Sequence, residues 1–234
     1  MLKFRGFITE TNAKGGYEYE NKVNDNLKKH GLQKKDQKSA GASKDAPDGT
    51  IRSKDGKHHN LEIKQNKSAM MGQIGMHHDG KSWKVKPDSK KKYPETAKHI
   101  EKHVIPHMNK HMGPPSGDYH KDRKEHGNHY INHKGTGPIR DHYAKDRNTH
   151  YIQIGKSGLH HTSSDHGKFG THELNGNTRF RVRVKSHGRK KVNGVKTNQH
   201  NYSHTVTMEL KDHKPSHIDL DHHSEKLGKE HGKH

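Results

Sequence analysis

The chain has no cysteine, one tryptophan, four phenylalanines and eight prolines among 234 residues. Without thiols there is no disulfide framework, no thiolate nucleophile and no cysteine-type zinc or iron–sulfur site. Apolar residues amount to 24% of the sequence, and no run approaches the ~20 consecutive apolar residues that a spanning helix needs. Nor does any stretch carry the strong apolar face of an interfacial helix. Met1–Glu10 alternates apolar residues without the continuous apolar segment of a secretory signal, so a cytoplasmic location and no membrane partner are expected. The hydrophobic core must be small for the chain length.

Positive charge is abundant. Lysine and arginine number 46 against 26 acidic residues, giving a formal charge of +20, a pI near 9.9 and a mean hydropathy of -1.44. A polyanion is the expected partner, because cations that contact phosphates release counterions and supply most non-specific affinity. The 28 histidines are scattered along the chain and would add further positive charge in mild acid.

Along the chain, Gly16–Gly31 reads as a helix with Tyr19, Val23 and Leu27 near one face and Gly31 as C-cap. Gln33–Asp48 reads as a polar loop ending in Pro47-Asp48-Gly49. Thr50–Arg52 and Asn60–Lys64 bracket a turn at Asp55-Gly56, the pattern of a β-hairpin. Gln65–Met76 carries Ala69, Met70, Met71, Ile74 and Met76 at helical spacing, and Ser82–Val85 is a short strand with the single Trp83 in the core. Lys86–Thr149 reads as irregular apart from a helix over Pro94–Lys102. Tyr151–Ile154 and Tyr202–Leu210 are expected strands. In Arg179–Lys185 the apolar Phe180, Val182 and Val184 alternate with Arg179, Arg181, Arg183 and Lys185, a cationic face suited to phosphates. It should pair with the 202–210 strand across a Gly188–Asn198 connection, and the tail beyond Leu220 is expected to fray.

Asp48 precedes, by thirteen intervening residues, Glu62-Ile63-Lys64. Two residues apart on a strand, Glu62 and Lys64 emerge on one face while Ile63 faces the core. This Pro-Asp … Glu-x-Lys pattern, with a helix before it and Gln65 and Gly72-Gln73 after it, resembles the PD-(D/E)XK nuclease superfamily over about Gly16–Val85. The resemblance implies an α/β, restriction-endonuclease-like fold with a mixed central sheet flanked by helices. It implies Mg²⁺, or Mn²⁺, held by Asp48 and Glu62, with Lys64 positioning water and stabilising charge. Glu20 on the preceding helix would be the accessory acid and ligand, with Glu18 its competitor, and Gln73 would lie among the DNA-contacting residues.

The expected organisation is an N-terminal segment (1–15), a nuclease core (16–90), a basic His/Lys-rich insertion (91–149), a β-rich C-terminal part packed on the core (150–220) and a charged tail (221–234). The expected activity is Mg²⁺-dependent hydrolysis of DNA phosphodiester bonds; a non-catalytic nucleic-acid-binding or packaging protein is the alternative. The stretch FRGFITE (4–10) resembles the starts of tailed-phage proteins, which would place the chain in a host cytoplasm. Other patterns carry less. The His99, His103, His107 and His111 ladder is interrupted by Pro106. Adjacent histidine pairs diverge on any regular element, and His126–His133 fits an HNH nuclease arrangement only loosely.

Overall fold

The computed structural model describes residues 4–34 and 46–232, with side chains from residue 15 onward. Most of the expected 33–48 loop, and the first three and last two residues, therefore lie outside the described residues. The chain is a mixed α/β protein with two five-stranded sheets, and it divides into two compact units.

The first unit comprises residues 1–69, 143–175 and 213–234. Helix α1 (Phe4–Lys29) begins earlier than its sequence pattern suggested. Its buried strip runs Glu20, Val23, Asn24 and Leu27, the spacing of one helical face. It closes with Leu32 N–H donating to the Leu27 carbonyl at 2.8 Å, while the Leu32 side chain is fully buried. Strands β1 (Gly49–Arg52) and β2 (His58–Lys64) form the expected antiparallel hairpin. The sheet continues through β6 (Tyr151–Ile154), β7 (Gly158–His161) and β8 (His172–Glu173), in the order β1-β2-β6-β7-β8. Pairing is parallel for β2–β6 and β7–β8 and antiparallel elsewhere, so the sheet is mixed. Val23, Leu27, Ile51, Leu61, Ile63 and Tyr151 belong to its core.

The tail is not frayed. It forms α7 (Ser224–His231), with Leu227 buried in the same core and the His231 carbonyl accepting from Arg52 Nη1 at 3.2 Å. One apolar side chain anchors eight residues that look wholly polar in sequence.

The second unit comprises residues 70–142 and 176–212. Its sheet is antiparallel throughout, in the order β4 (Trp83–Val85), β3 (Met71–His78), β10 (Val195–Lys211), β9 (Asn177–Val192), β5 (Tyr130–His133). The segment expected to be a helix after Glu62-x-Lys64 is thus strand β3, and β3 and β4 pair in this second sheet. Met71 and Gln73 oppose Met208 and Thr207, leaving Gly72 as an extra residue at φ 65°. Such a bulge shifts the alternation by one, so Met71, Ile74 and Met76 share the buried face at intervals of three and two. That spacing imitates a helical period.

The expected Pro94–Lys102 helix is α3 (Pro94–His103), and the rest of the stretch, read as irregular, carries helices α2 (Pro87–Lys92), α4 (Ile105–His111), α5 (Tyr119–Glu125) and α6 (Gly137–Asp141). Of these, α2, α3, α4 and α6 hold a proline at the first or second position. There its missing N–H costs nothing and its fixed φ favours the turn. Pro94 starts its helix as expected, and Pro87, Pro106 and Pro138 lie at helix starts too. The break at Pro106 in the histidine ladder is real, falling between α3 and α4. Trp83 is buried as expected, its indole N–H donating to the Met112 carbonyl at 3.2 Å.

Strands β9 and β10 run through the segment expected to be a connection, meeting at a two-residue turn, Asn193-Gly194, with both φ values positive. The result is an exposed two-stranded arm over residues 187–199.

A Cβ on Gly228 would lie 2.7 Å from the His30 carbonyl, closer than real contacts allow. Helix propensity alone favours alanine over glycine by about 1 kcal/mol. Gly228→Ala is nevertheless expected to lower stability, by about 1–3 kcal/mol from forced backbone displacement, in chemical denaturation; a stability gain would show that α7 does not pack closely on the end of α1.

Candidate active site

The first unit brings Asp48, Glu62 and Lys64 together. Asp48 stands at the entry to β1, where its carboxylate accepts the Ile63 N–H at 2.9 Å, a bond across the hairpin that holds it beside Glu62-x-Lys64. Its own carbonyl accepts from Asn24 Nδ2 of α1 at 3.1 Å, and Gln33 Nε2 donates to Asn24 Oδ1 at 2.9 Å. This approach requires the glycine of Pro-Asp-Gly: a Cβ on Gly49 would sit 2.4 Å from Asn24 Oδ1.

Lys64 Nζ donates to Glu62 Oε1 and lies 3.8 Å from Asp48 Oδ2. The Glu62 side chain is 4% exposed, against 17% for Asp48 and 19% for Lys64, so Glu62 forms the floor and the other two the mouth. Glu20 is buried and Glu18 exposed, which favours Glu20 as the inward acid of α1. Glu20 is one turn from Asn24, on the strip that abuts Asp48.

Two further residues join the cluster. Tyr143, fully buried on a π-helical turn (His142–Asp146), donates to Glu62 Oε1 at 3.4 Å. Arg147 lies 3.7 Å from Glu62 Oε2 and donates to the Ala46 carbonyl at 3.3 Å. Their only trace in sequence is an aromatic and an arginine four apart before a strand, a pattern lost among the surrounding His and Lys.

Burial, then the Glu62 charge, push the Asp48 carboxyl above the usual carboxylate range, against the pull of Lys64 and the Ile63 N–H. Burial alone would draw the Lys64 ammonium down, but Tyr143, Glu62 and Asp48 outweigh it and hold it above the ordinary lysine value. Burial keeps the Tyr143 phenol protonated well past neutral pH. The cluster therefore offers two carboxylates, a persistent ammonium, a guanidinium and a neutral phenol. Glu62 Oε2 accepts no hydrogen bond among the described residues.

The remaining expected residues lie in the second unit. Gln73 is exposed on β3 opposite Thr207, not on a helix after Glu62-x-Lys64. Arg179, Arg181, Arg183 and Lys185 lie on β9, and Phe180 and Val182 are buried between them as the alternation required. The face is not a free row of cations. Arg179 binds Glu209 Oε2 at 3.0 and 2.5 Å and lies over Tyr130, while Arg181 binds Asn128 Oδ1 at 2.6 Å and lies 3.7 Å from Glu209 Oε1. Arg179 and Glu209 are register partners across β9 and β10. Arg183 donates to Met70 Sδ at 2.6 Å and, like exposed Lys185, Arg189, Lys190, Lys191 and Lys196, forms no ion pair among the described residues, so the unpaired cations of β9 and β10 run from Arg183 into the arm.

Comparison with known protein families, curated proteins and solved structures finds no significant match.

Glu62→Gln removes the second cause of the raised Asp48 carboxyl. Its midpoint, followed by carbon NMR in metal-free protein, is expected to fall; an unchanged midpoint would show that the two carboxylates do not interact.

Proposed function

We propose that the first unit is a restriction-endonuclease-like nuclease core that hydrolyses DNA phosphodiester bonds with Mg²⁺, for which Mn²⁺ could substitute. The observation that carries this reading is the convergence of Asp48, Glu62 and Lys64 at one end of the β1–β2 hairpin, with the Glu20–Asn24 strip of α1 against it. The parallel β2–β6 pairing within a mixed sheet supports it.

The residues present suit a hard cation. Glu62 Oε2 is buried without a hydrogen bond among the described residues, and Asp48 offers a second carboxylate at the mouth. Asp48 and Glu62 would hold the ion, with Glu20 as accessory acid. Bound there, the ion would polarise a phosphoryl oxygen and lower the pKa of an attached water.

Lys64 stays an ammonium, with three donors and no lone pair, so it positions water and offsets phosphate charge without accepting a proton. Tyr143 orients Glu62 through Oε1, and Arg147 sets a second cation beside it. Among Asp48, Glu62, Lys64 and Arg147 the charges cancel. A divalent ion would therefore turn the site positive toward a phosphate. The arm of β9 and β10 supplies cations able to follow a nucleic-acid backbone without reading sequence. The arm alone would equally serve a protein that binds DNA and cuts nothing.

Supercoiled plasmid incubated with Mg²⁺ separates the two readings. Nicking or linearisation is expected, abolished by EDTA, by Asp48→Asn and by Glu62→Gln, with Lys64→Met slower by about 10²–10³-fold and circular dichroism unchanged. Tight binding without cleavage in Mg²⁺ and Mn²⁺ would leave the binding protein. Replacing Arg189, Lys190 and Lys191 by glutamine should weaken binding on all sequences and flatten the dependence of log affinity on log salt by about 0.9 per lost phosphate contact; an unchanged slope would take the arm out of the interface.

A further inference from the structure

The second unit holds a different cluster. Asp122 of α5, His126 just past its end and His204 of β10 are all buried, and one ligand atom from each falls within 4.8 Å of the others. His126 Nδ1 and His204 Nε2 are 3.1 Å apart, and Asp122 Oδ2 is 4.0 Å from His204 Nε2. Bonds of about 2.0–2.1 Å at tetrahedral angles place zinc ligands about 3.3–3.4 Å from one another. The observed spacings bracket that value.

Charge gives a second argument. Asp122 is fully buried. Its hydrogen-bond partners are neutral. Oδ1 accepts from Ser116 N–H at 2.9 Å and Ser116 Oγ at 2.6 Å, and Oδ2 accepts from Tyr202 Oη at 2.6 Å. The only ion-pairing partner within 4.0 Å among the described residues is His204. No lysine or arginine pairs with this buried carboxylate among the described residues, and buried charges are paired or bind metals.

We propose that Asp122, His126 and His204 bind one divalent transition metal of borderline softness, zinc foremost, joining α5 to β10. Two imidazoles and one carboxylate suit zinc, copper or nickel over Mg²⁺. Ser116 and Tyr202 act as outer partners that orient Asp122, as hydrogen-bonded neighbours do in metal sites. The site is separate from the carboxylates proposed to hold Mg²⁺.

Trp83 makes it testable. As the only tryptophan, its ring lies 4.7 Å from His204, 5.7 Å from His126 and 5.4 Å from His78, so its emission reports this corner of the second unit among 28 histidines, and the ligand variants assign the signal to the site. The full chain, stripped by chelator, is titrated with Zn²⁺ and with Co²⁺. One equivalent is expected to change Trp83 emission, Co²⁺ to develop the visible bands of a four-coordinate site, and unfolding temperature to rise. His204→Gln and Asp122→Asn should each weaken the tryptophan-reported affinity by at least 10²-fold, while His217→Gln and Asp48→Asn leave it intact. His126→Gln serves as a further ligand variant should either of the others misfold. Trp83 emission indifferent to one equivalent of either metal, or unchanged affinity in folded ligand variants, would overturn the site and leave a hydrogen-bonded cluster.

Discussion

The parallel pairing of β2 with β6 is the constraint on which the first unit rests. Parallel neighbours cannot be joined by a tight turn; the chain must leave the sheet and return. Here it leaves after Lys64 and returns at Tyr151, and most of that excursion builds the second unit. The register sets Glu62 opposite Ile152 and Lys64 opposite Ile154. Tyr143 and Arg147 reach the carboxylates because they lie on the approach to β6. Gln153, fully buried on β6, then gathers distant parts of the unit: its amide donates to Tyr19 Oη at 3.0 Å and to Asp219 Oδ1 at 2.7 Å, and accepts the Leu220 N–H at 3.2 Å. Helix, central strand and C-terminal segment meet on one side chain.

Charge compensation organises the polar interior. In the first unit, Glu62 and Asp48 are matched by Lys64 and Arg147. In the second, Glu209 holds Arg179, Arg181 and Lys211 around it, and their pull outweighs burial to keep its carboxyl low. Asp122 is answered by neutral donors alone. The same rule that makes Glu209 structural makes Asp122 conspicuous.

Much of this was legible in sequence. The β1–β2 hairpin, the helix face of Val23 and Leu27, the alternation through Phe180 and Val182 and the gathering of Asp48, Glu62 and Lys64 all follow from periodicity and turn residues, which are local signals. What escaped depends on partners distant in the chain. Met71–His78 imitates a helix because a bulge at Gly72 shifts its phase, and only β10 shows that a strand is needed there. Pro94 was legible as a helix start because Glu95 and an apolar face follow it, whereas Pro87, Pro106 and Pro138 open shorter helices whose polar sequences look like loop. Arg179 and Arg181 looked free until Glu209, thirty and twenty-eight residues on, faced them. Asp122, His126 and His204 are joined across 78 residues among many other histidines.

The first unit is assembled from three separate stretches of chain, and its core needs Ile218, Leu220 and Leu227 from the last of them. During synthesis the hairpin bearing Asp48, Glu62 and Lys64 leaves the ribosome early, but the strand beside it, and the segment that fastens Gln153, come much later. Contacts between residues so far apart are slow to form, because loop-closure entropy must be overcome before any burial rewards it. Until then the hairpin lacks its β6 neighbour and the residues that complete its core. The carboxylate cluster thus rests on a core that is complete only with residues 213–231 in place.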